Sequence, residues 1–205
     1  MKKRKGPHAS TRIRKGSIIR SALRCFSEIG FSATTMEDIR QHSGASTGSI
    51  YHHFKGKDQL AAEVYIEGIR EYQAGLVEVF QSEEDAREGI RRLVGHHLRW
   101  VEENIEWSRY LFRNRFSAFL ASTEEALSTM NRDLAESSSA WFGRHIRAGE
   151  LRRMPTDIII ALILGPCMEH TRQYLEGLTA TRTDRAVREL ADAIWRAIAV
   201  HADEA

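Results

Sequence analysis

The 205 residues, 42% of them apolar, are enough to bury a core in one large domain or two modest ones. Two distant cysteines, Cys25 and Cys167, exclude a disulfide scaffold and fit a reducing cytoplasm. The longest apolar run, Ile158 to Leu164, falls far short of the roughly 20 residues that a membrane-spanning helix needs.

The basic start, Lys2-Lys3-Arg4-Lys5, runs into Gly6, Pro7 and polar residues, so it is not a secretory leader, and a cytoplasmic protein is expected. The overall charge of +2 conceals an asymmetry. Residues 1–60 carry 12 Lys/Arg against 4 Asp/Glu, a net of +8, and the remainder carries 18 against 24, a net of −6. A basic head on an acidic body points to a head that meets a polyanion.

Apolar residues recur at helical spacing along the chain. Ile18, Ile19, Ala22, Leu23, Phe26 and Ile29 define a long helix from about Thr11 to Glu28, with Gly30 as its stop. Another starts near Lys57 or Asp58 and carries Leu60, Val64, Ile69, Leu76, Val79 and Phe80. Further helices are expected near Glu83–Asn104, Glu106–Leu120, Thr123–Ala148, Thr156–Glu176 and Thr183–His201. Alternating Val, Ile and Thr stretches are missing, so the expected class is all-α. Only Pro166 interrupts a helix pattern.

Between the first two helices, the spacing of Thr35 and Asp38 is that of a capping box and predicts a short helix from Met36. Gly44 supplies the positive φ that ends it, and Ser46 caps the next. Met36, Ile39, Ala45, Ile50 and Phe54 form the apolar set that pins both to the first helix. Two short helices joined by a glycine turn, on a basic segment, constitute a helix-turn-helix.

Gly30-Phe31-Ser32-Ala33-Thr34-Thr35, then Ile39, Gly44-Ala45-Ser46 and Gly48-Ser49-Ile50-Tyr51-His52-His53-Phe54-Lys55-Gly56-Lys57 carry a resemblance. Over roughly residues 12–66 the chain resembles the DNA-binding domain of the tetracycline-repressor (TetR) family. Two positions depart from the family pattern: Arg40 stands where a small residue is usual, and Ala45 where Val is usual.

The resemblance implies three segments: a basic arm over 1–10, a helix-turn-helix domain over 11–58, and a ligand-binding and dimerisation domain over 59–205. It implies that Thr47, Gly48, Ser49 and His53 meet the major groove, that Tyr51 and Lys57 meet phosphate, and that His52 does either. Lys55, Ser46 and Thr35 join this set, the last as a cap with a phosphate contact through its helix start. The arm is read as a solvated tail, with reach into a minor groove as the alternative.

Ile158 to Leu164 is apolar on every side of a helix, so it needs cover on two faces, and the last helix carries one clean stripe. The resemblance makes these two helices a homodimer interface, with Ile159, Ile163, Leu190, Ile194 and Ile198 as candidates. Aromatic side chains gather in the middle of the body, where the family places its effector site. Trp100, Trp107, Tyr110, Phe116, Trp141 and Phe142, with His170 and Tyr174, are the candidate pocket residues.

His96, His97, His145 and His170 lack any metal-ligand spacing, and no nucleophile elbow or phosphate loop occurs, so neither a metal, a cofactor nor an enzyme is expected. The function implied is a repressor that binds a palindromic double-stranded operator as a homodimer and is released by a small molecule. An activator or non-transcriptional DNA-bound protein of the same fold, and a ligand-binding module with an inactive head, are the alternatives.

Overall fold

The computed structural model describes residues 7–115 and 117–200, except for the side chains of residues 7–10 and 122. The basic arm at Lys2–Lys5, the pocket candidate Phe116 and the end of the last predicted helix at His201 lie outside the described residues.

The described chain is helical, in the order α1 (Pro7–Glu28), α2 (Met36–Ser43), α3 (Thr47–His53), α4 (Lys57–Ser82), α5 (Ala86–Glu103) and α6 (Ile105–Asn114). A 3-10 segment (Ala118–Thr123) precedes α7 (Glu124–Arg147), α8 (Thr156–Leu175) and α9 (Thr183–Ile198). The single helix expected over Glu106–Leu120 ends early. Asn114 folds its amide back onto the Tyr110 carbonyl, and the Ser117 amide and hydroxyl both bond to Asn114, closing a turn instead of extending the helix.

The chain divides into two compact units. The first runs to Ile69 and also takes in Glu106–Leu127; the second is Arg70–Ile105 with the chain from Ser128 onward.

In the first unit, Ile18, Ala22 and Cys25 of α1, Ile39 of α2, Ile50 and Phe54 of α3, and Leu60 and Val64 of α4 are each at most 1% exposed. Thr34 is buried with them because its hydroxyl spans the Gly30 and Cys25 carbonyls at 2.7 and 3.1 Å. Tyr110 stacks on Phe26 with centroids 5.9 Å apart and donates to the Ala61 carbonyl at 2.9 Å. Trp107 packs on α4 at Gly68, where an added Cβ would lie 2.7 Å from the indole.

In the second unit, α5 is the central helix: Ile90, Val94 and Leu98 are buried beside Ile159, Ile163 and Cys167 of α8 and Val187, Ala191, Ile194 and Ile198 of α9. Trp141 of α7 closes one end. Its indole N–H donates to the Glu83 carbonyl at 2.8 Å. A Cβ on Gly89 would come within 2.3 Å of the same ring, so α5 needs glycine there.

The buried polar groups of this unit are arranged as a chain. The Tyr72 hydroxyl meets Nδ1 of His97 at 2.8 Å, and Nε2 of His97 meets the Thr171 hydroxyl at 2.9 Å, joining α4, α5 and α8. Burial, aided by the neighbouring His96, lowers the His97 pKa from 6.5 to about 4. The folded state therefore resists protonation that the unfolded state accepts. The resulting stability is fully present above pH 6.5 and diminishes as pH falls towards about 4. We expect His97→Gln to flatten the pH dependence of unfolding in that window, removing at most about 3 kcal/mol of slope relative to wild type. Denaturant titrations at pH 7, 5.5 and 4.5 check this, and parallel curves for the two proteins would refute it.

Candidate functional site

The capping box forms as the sequence predicts. The Thr35 hydroxyl accepts from the Asp38 amide at 3.1 Å, and the Asp38 carboxylate accepts from the Thr35 amide at 2.7 Å. These bonds to Thr35 hold the Asp38 carboxyl below its usual range. Gly44 ends α2 at φ 60°, ψ 16°, and the Ser46 hydroxyl accepts from the Ser49 amide at 3.2 Å to start α3.

Arg40, out of place in the family pattern, is turned along the surface of α2. It grips the Glu37 carboxylate with Nε and Nη2 at 2.7 and 2.6 Å, so only Ile39 enters the interior. Ala45 fills the neighbouring site and is 3% exposed.

With Ile50 and Phe54 each 1% exposed, α3 is fixed from below and the rest of its surface faces outward. Ser46, Thr47, Gly48, Tyr51, His52 and Lys55 are exposed, and Ser49 and His53 are half-buried. A Cβ on Gly48 would meet nothing within 4 Å, so the start of this face is open to a flat or grooved partner. The Ser46 and Thr35 hydroxyls are engaged in caps. Burial, then His52, then Lys15 lower the pKa of His53, which favours the neutral ring with its one donor and one acceptor.

Lys57 departs from the expected phosphate contact. Its Nζ lies 2.8, 3.1 and 2.9 Å from the carbonyls of Phe31, Ser32 and Thr34, which uses all three ammonium hydrogens, and 4.7 Å from the Phe31 ring centroid. The carbonyls of the α1–α2 turn converge on one point, and a cation at the start of α4 is what they can share. Phe31 in turn lies against Phe26 and Phe119 at 5.5 and 5.2 Å.

The candidate pocket residues scatter. Trp107 and Tyr110 belong to the core of the first unit. Trp141 is 2% exposed and packed solid, and Trp100 stands edge-on to Tyr72 with centroids 5.3 Å apart. His170 and Tyr174 flank a narrow crevice with Leu98 and Thr183. Phe142 alone of the described candidates lines the apolar cavity of the second unit, a space of about 70 Å³ between α4, α5, α7 and α8. The residues that sequence reasoning missed there are aliphatic, such as Leu76, Leu93 and Leu134, and only their place on the inner faces of amphipathic helices marks them.

Four of the five dimer candidates turn inward: Ile159, Ile163, Ile194 and Ile198 are at most 5% exposed within the second unit's own core. Placed there, they are out of a partner's reach. Leu190 is half-buried, and Ile158 is 46% exposed.

If the Lys57 ammonium is a clamp, Lys57→Met should destabilise the chain by about 1–3 kcal/mol, the usual cost of removing a charged hydrogen-bond donor from its partners. The exposed control Lys55→Met should stay within about 0.5 kcal/mol. Equilibrium unfolding of both variants measures this, and equal stabilities would discard the clamp.

Comparison with known proteins agrees with this geometry. Residues 18–64 match the family model for bacterial regulatory proteins of the tetR family, and residues 65–200 match that of the tetracyclin repressor-like C-terminal domain. The HTH-type transcriptional repressor AcnR of Corynebacterium diphtheriae is 32% identical over 111 residues, 51% of this chain and 56% of that protein. The HTH-type transcriptional repressor KstR2 of Mycolicibacterium smegmatis is 41% identical over 51 residues, 25% of each chain. The chain thus spans about half the length of the first of these curated relatives and a quarter of the second. A TetR family transcription regulator from Marinobacter aquaeolei shares the fold, with a TM-score of 0.75 over 91% of this chain and 95% of that one at 21% identity. With both family models together spanning residues 18–200, the chain belongs to the TetR family of bacterial regulatory proteins.

Proposed function

We propose that the chain is a transcriptional repressor whose homodimer reads a palindromic DNA operator with α3 and is released when a small molecule occupies the second unit. The observation that carries the reading is the outward face of α3, held rigid by buried Ile50 and Phe54 while Thr47, Gly48, Tyr51 and His52 remain exposed. Such a helix enters a major groove without rearranging its support. The names of AcnR and KstR2, both repressors, favour repression over activation.

In this reading Ser49 and His53 face base edges, Tyr51 and Lys55 face phosphates, and Thr35 and Ser46 act through the caps they make. Two recognition helices must then stand about 34–36 Å apart, or a multiple of it, to match successive turns of the groove. Against a duplex selected from a random pool, Ser49→Ala or His53→Ala should cost about 1–3 kcal/mol while leaving random DNA nearly unaffected. Lys55→Met should weaken both alike and lower the slope of log affinity against log salt by about 0.9 for each phosphate it ceases to neutralise. Lys57→Met, whose ammonium is engaged internally, should leave that slope unchanged. Fluorescence anisotropy at several salt concentrations tests the assignments together. Loss of selectivity in Lys55→Met, with a uniform effect of Ser49→Ala, would reverse them.

The dimer is proposed to form on α8 and α9 through surface that their own core leaves open. Ile158 and the half-buried Leu162, Leu190 and Trp195 are the apolar residues still available there. Sedimentation should give a dimer at micromolar concentration and a monomer for Ile158→Asp. A monomeric wild type would remove this part of the reading.

A further inference from the structure

The cavity of the second unit specifies its ligand more narrowly than a volume does. Its walls come from four helices: Leu76 and Phe80 of α4, Leu93 of α5, Leu134 of α7, and Ile160 and Leu164 of α8. The space between them is about 70 Å³, room for a short stretch of hydrocarbon and well under the volume a drug-sized ligand fills.

Three polar side chains also border it, His97, Ser138 and Cys167, and none offers a vacant strong donor. Both ring nitrogens of His97 are bonded, to the hydroxyls of Tyr72 and Thr171. The Ser138 hydroxyl donates to the Ala135 carbonyl at 3.1 Å. The Cys167 thiol is fully buried and its pKa is pushed up to about 12, so it stays protonated. No Lys or Arg among the described residues lines the space. A carboxylate or phosphate seated there would be stripped of water with no cation or free N–H to replace it.

We propose that this cavity binds an uncharged aliphatic ligand, whose buried part is hydrocarbon and whose only polar atoms stay at the mouth, beside half-buried Leu134, Ile160 and Leu164. The proposal rests on reading the chain as a ligand-released regulator and names the ligand class of that site. Affinity should then follow chain length, at about fourfold per added methylene until the space is filled, as transfer of each CH₂ from water dictates.

The test uses the wild-type chain with linear 1-alkanols of two to eight carbons and the alkanoates of equal length at pH 7.5. Calorimetry and thermal melting should show the alkanols binding with a stepwise gain in affinity, and each alkanoate at least tenfold weaker. Alkanoates binding as tightly as alkanols, or an affinity independent of chain length, would overturn the proposal. So would the absence of any alkanol binding by a protein that still binds its selected DNA, and that result would leave the DNA-binding reading intact. Alkanol binding by a protein that binds no DNA, or keeps it when saturated, would instead support the cavity assignment and overturn ligand release. Leu134→Trp, or Ile160→Phe if the first does not fold by circular dichroism, should fill the space and lower alkanol affinity at least tenfold. Unchanged affinity in a folded variant would move the ligand elsewhere and overturn the proposal.

Discussion

Three backbone carbonyls at the α1–α2 turn point to one place, and the geometry of the head depends on what fills it. The carbonyls of Phe31, Ser32 and Thr34 follow the end of α1 and precede the cap of α2, where the chain has no regular hydrogen-bond ladder. Left together they would repel one another and turn to water, carrying Thr35 and the start of α2 with them. The Lys57 ammonium holds them from the first residue of α4, with its charge over the Phe31 ring. One side chain thus ties the turn before α2 to the helix after α3, and both short helices are fixed at their outer ends. Lys15 makes a second tie, reaching Glu63 of α4 at 2.8 Å while lying above Phe54.

The same turn explains why residues far along the chain belong to the head. Phe31 is wedged between Phe26 and Phe119, and Phe26 stacks on Tyr110. The segment Glu106–Leu127 therefore completes the core of the first unit, although the whole stretch Arg70–Ile105 separates it from α4's share of that unit. Trp107 and Tyr110 were candidates for a pocket because aromatic residues in mid-chain are conspicuous. Their actual work is to seal α6 against α4 and α1, where a ring over Gly68 and a hydroxyl on the Ala61 carbonyl fit only one arrangement.

Local signals were the legible ones. Thr35, Asp38, Gly44 and Ser46 act within a few residues of themselves, so their spacing alone located α2 and α3. Helical periodicity likewise located α4, α5, α7, α8 and α9, because each has an inner face that must be apolar. What periodicity could not assign was which apolar neighbour each stripe would meet. Ile194 and Ile198 make a clean stripe whether α5 or a second subunit covers it, and α5 does. The cavity was hidden for a related reason. A space between helices has no residue of its own, and Leu76, Leu93 and Leu134 differ from core leucines only in what fails to reach them.

Charge illustrates a further limit on what composition conveys. The +8 of residues 1–60 reads as a surface prepared for phosphate, but a charge already satisfied within the fold contributes little to displacing counterions. Lys15 is paired with Glu63, Arg40 with Glu37, and Lys57 with three carbonyls. Arg12, Arg14, Arg20, Arg24 and Lys55 remain exposed without an ion pair among the described residues. Four of these five lie on α1, and only Lys55 adjoins α3. Among the described residues, the basic head therefore divides into cations engaged within the fold, of which Lys15 and Lys57 tie separate elements together, and cations that face solvent. Electrostatic attraction to a polyanion comes from the second group, while the shape that α3 offers it is maintained by the first.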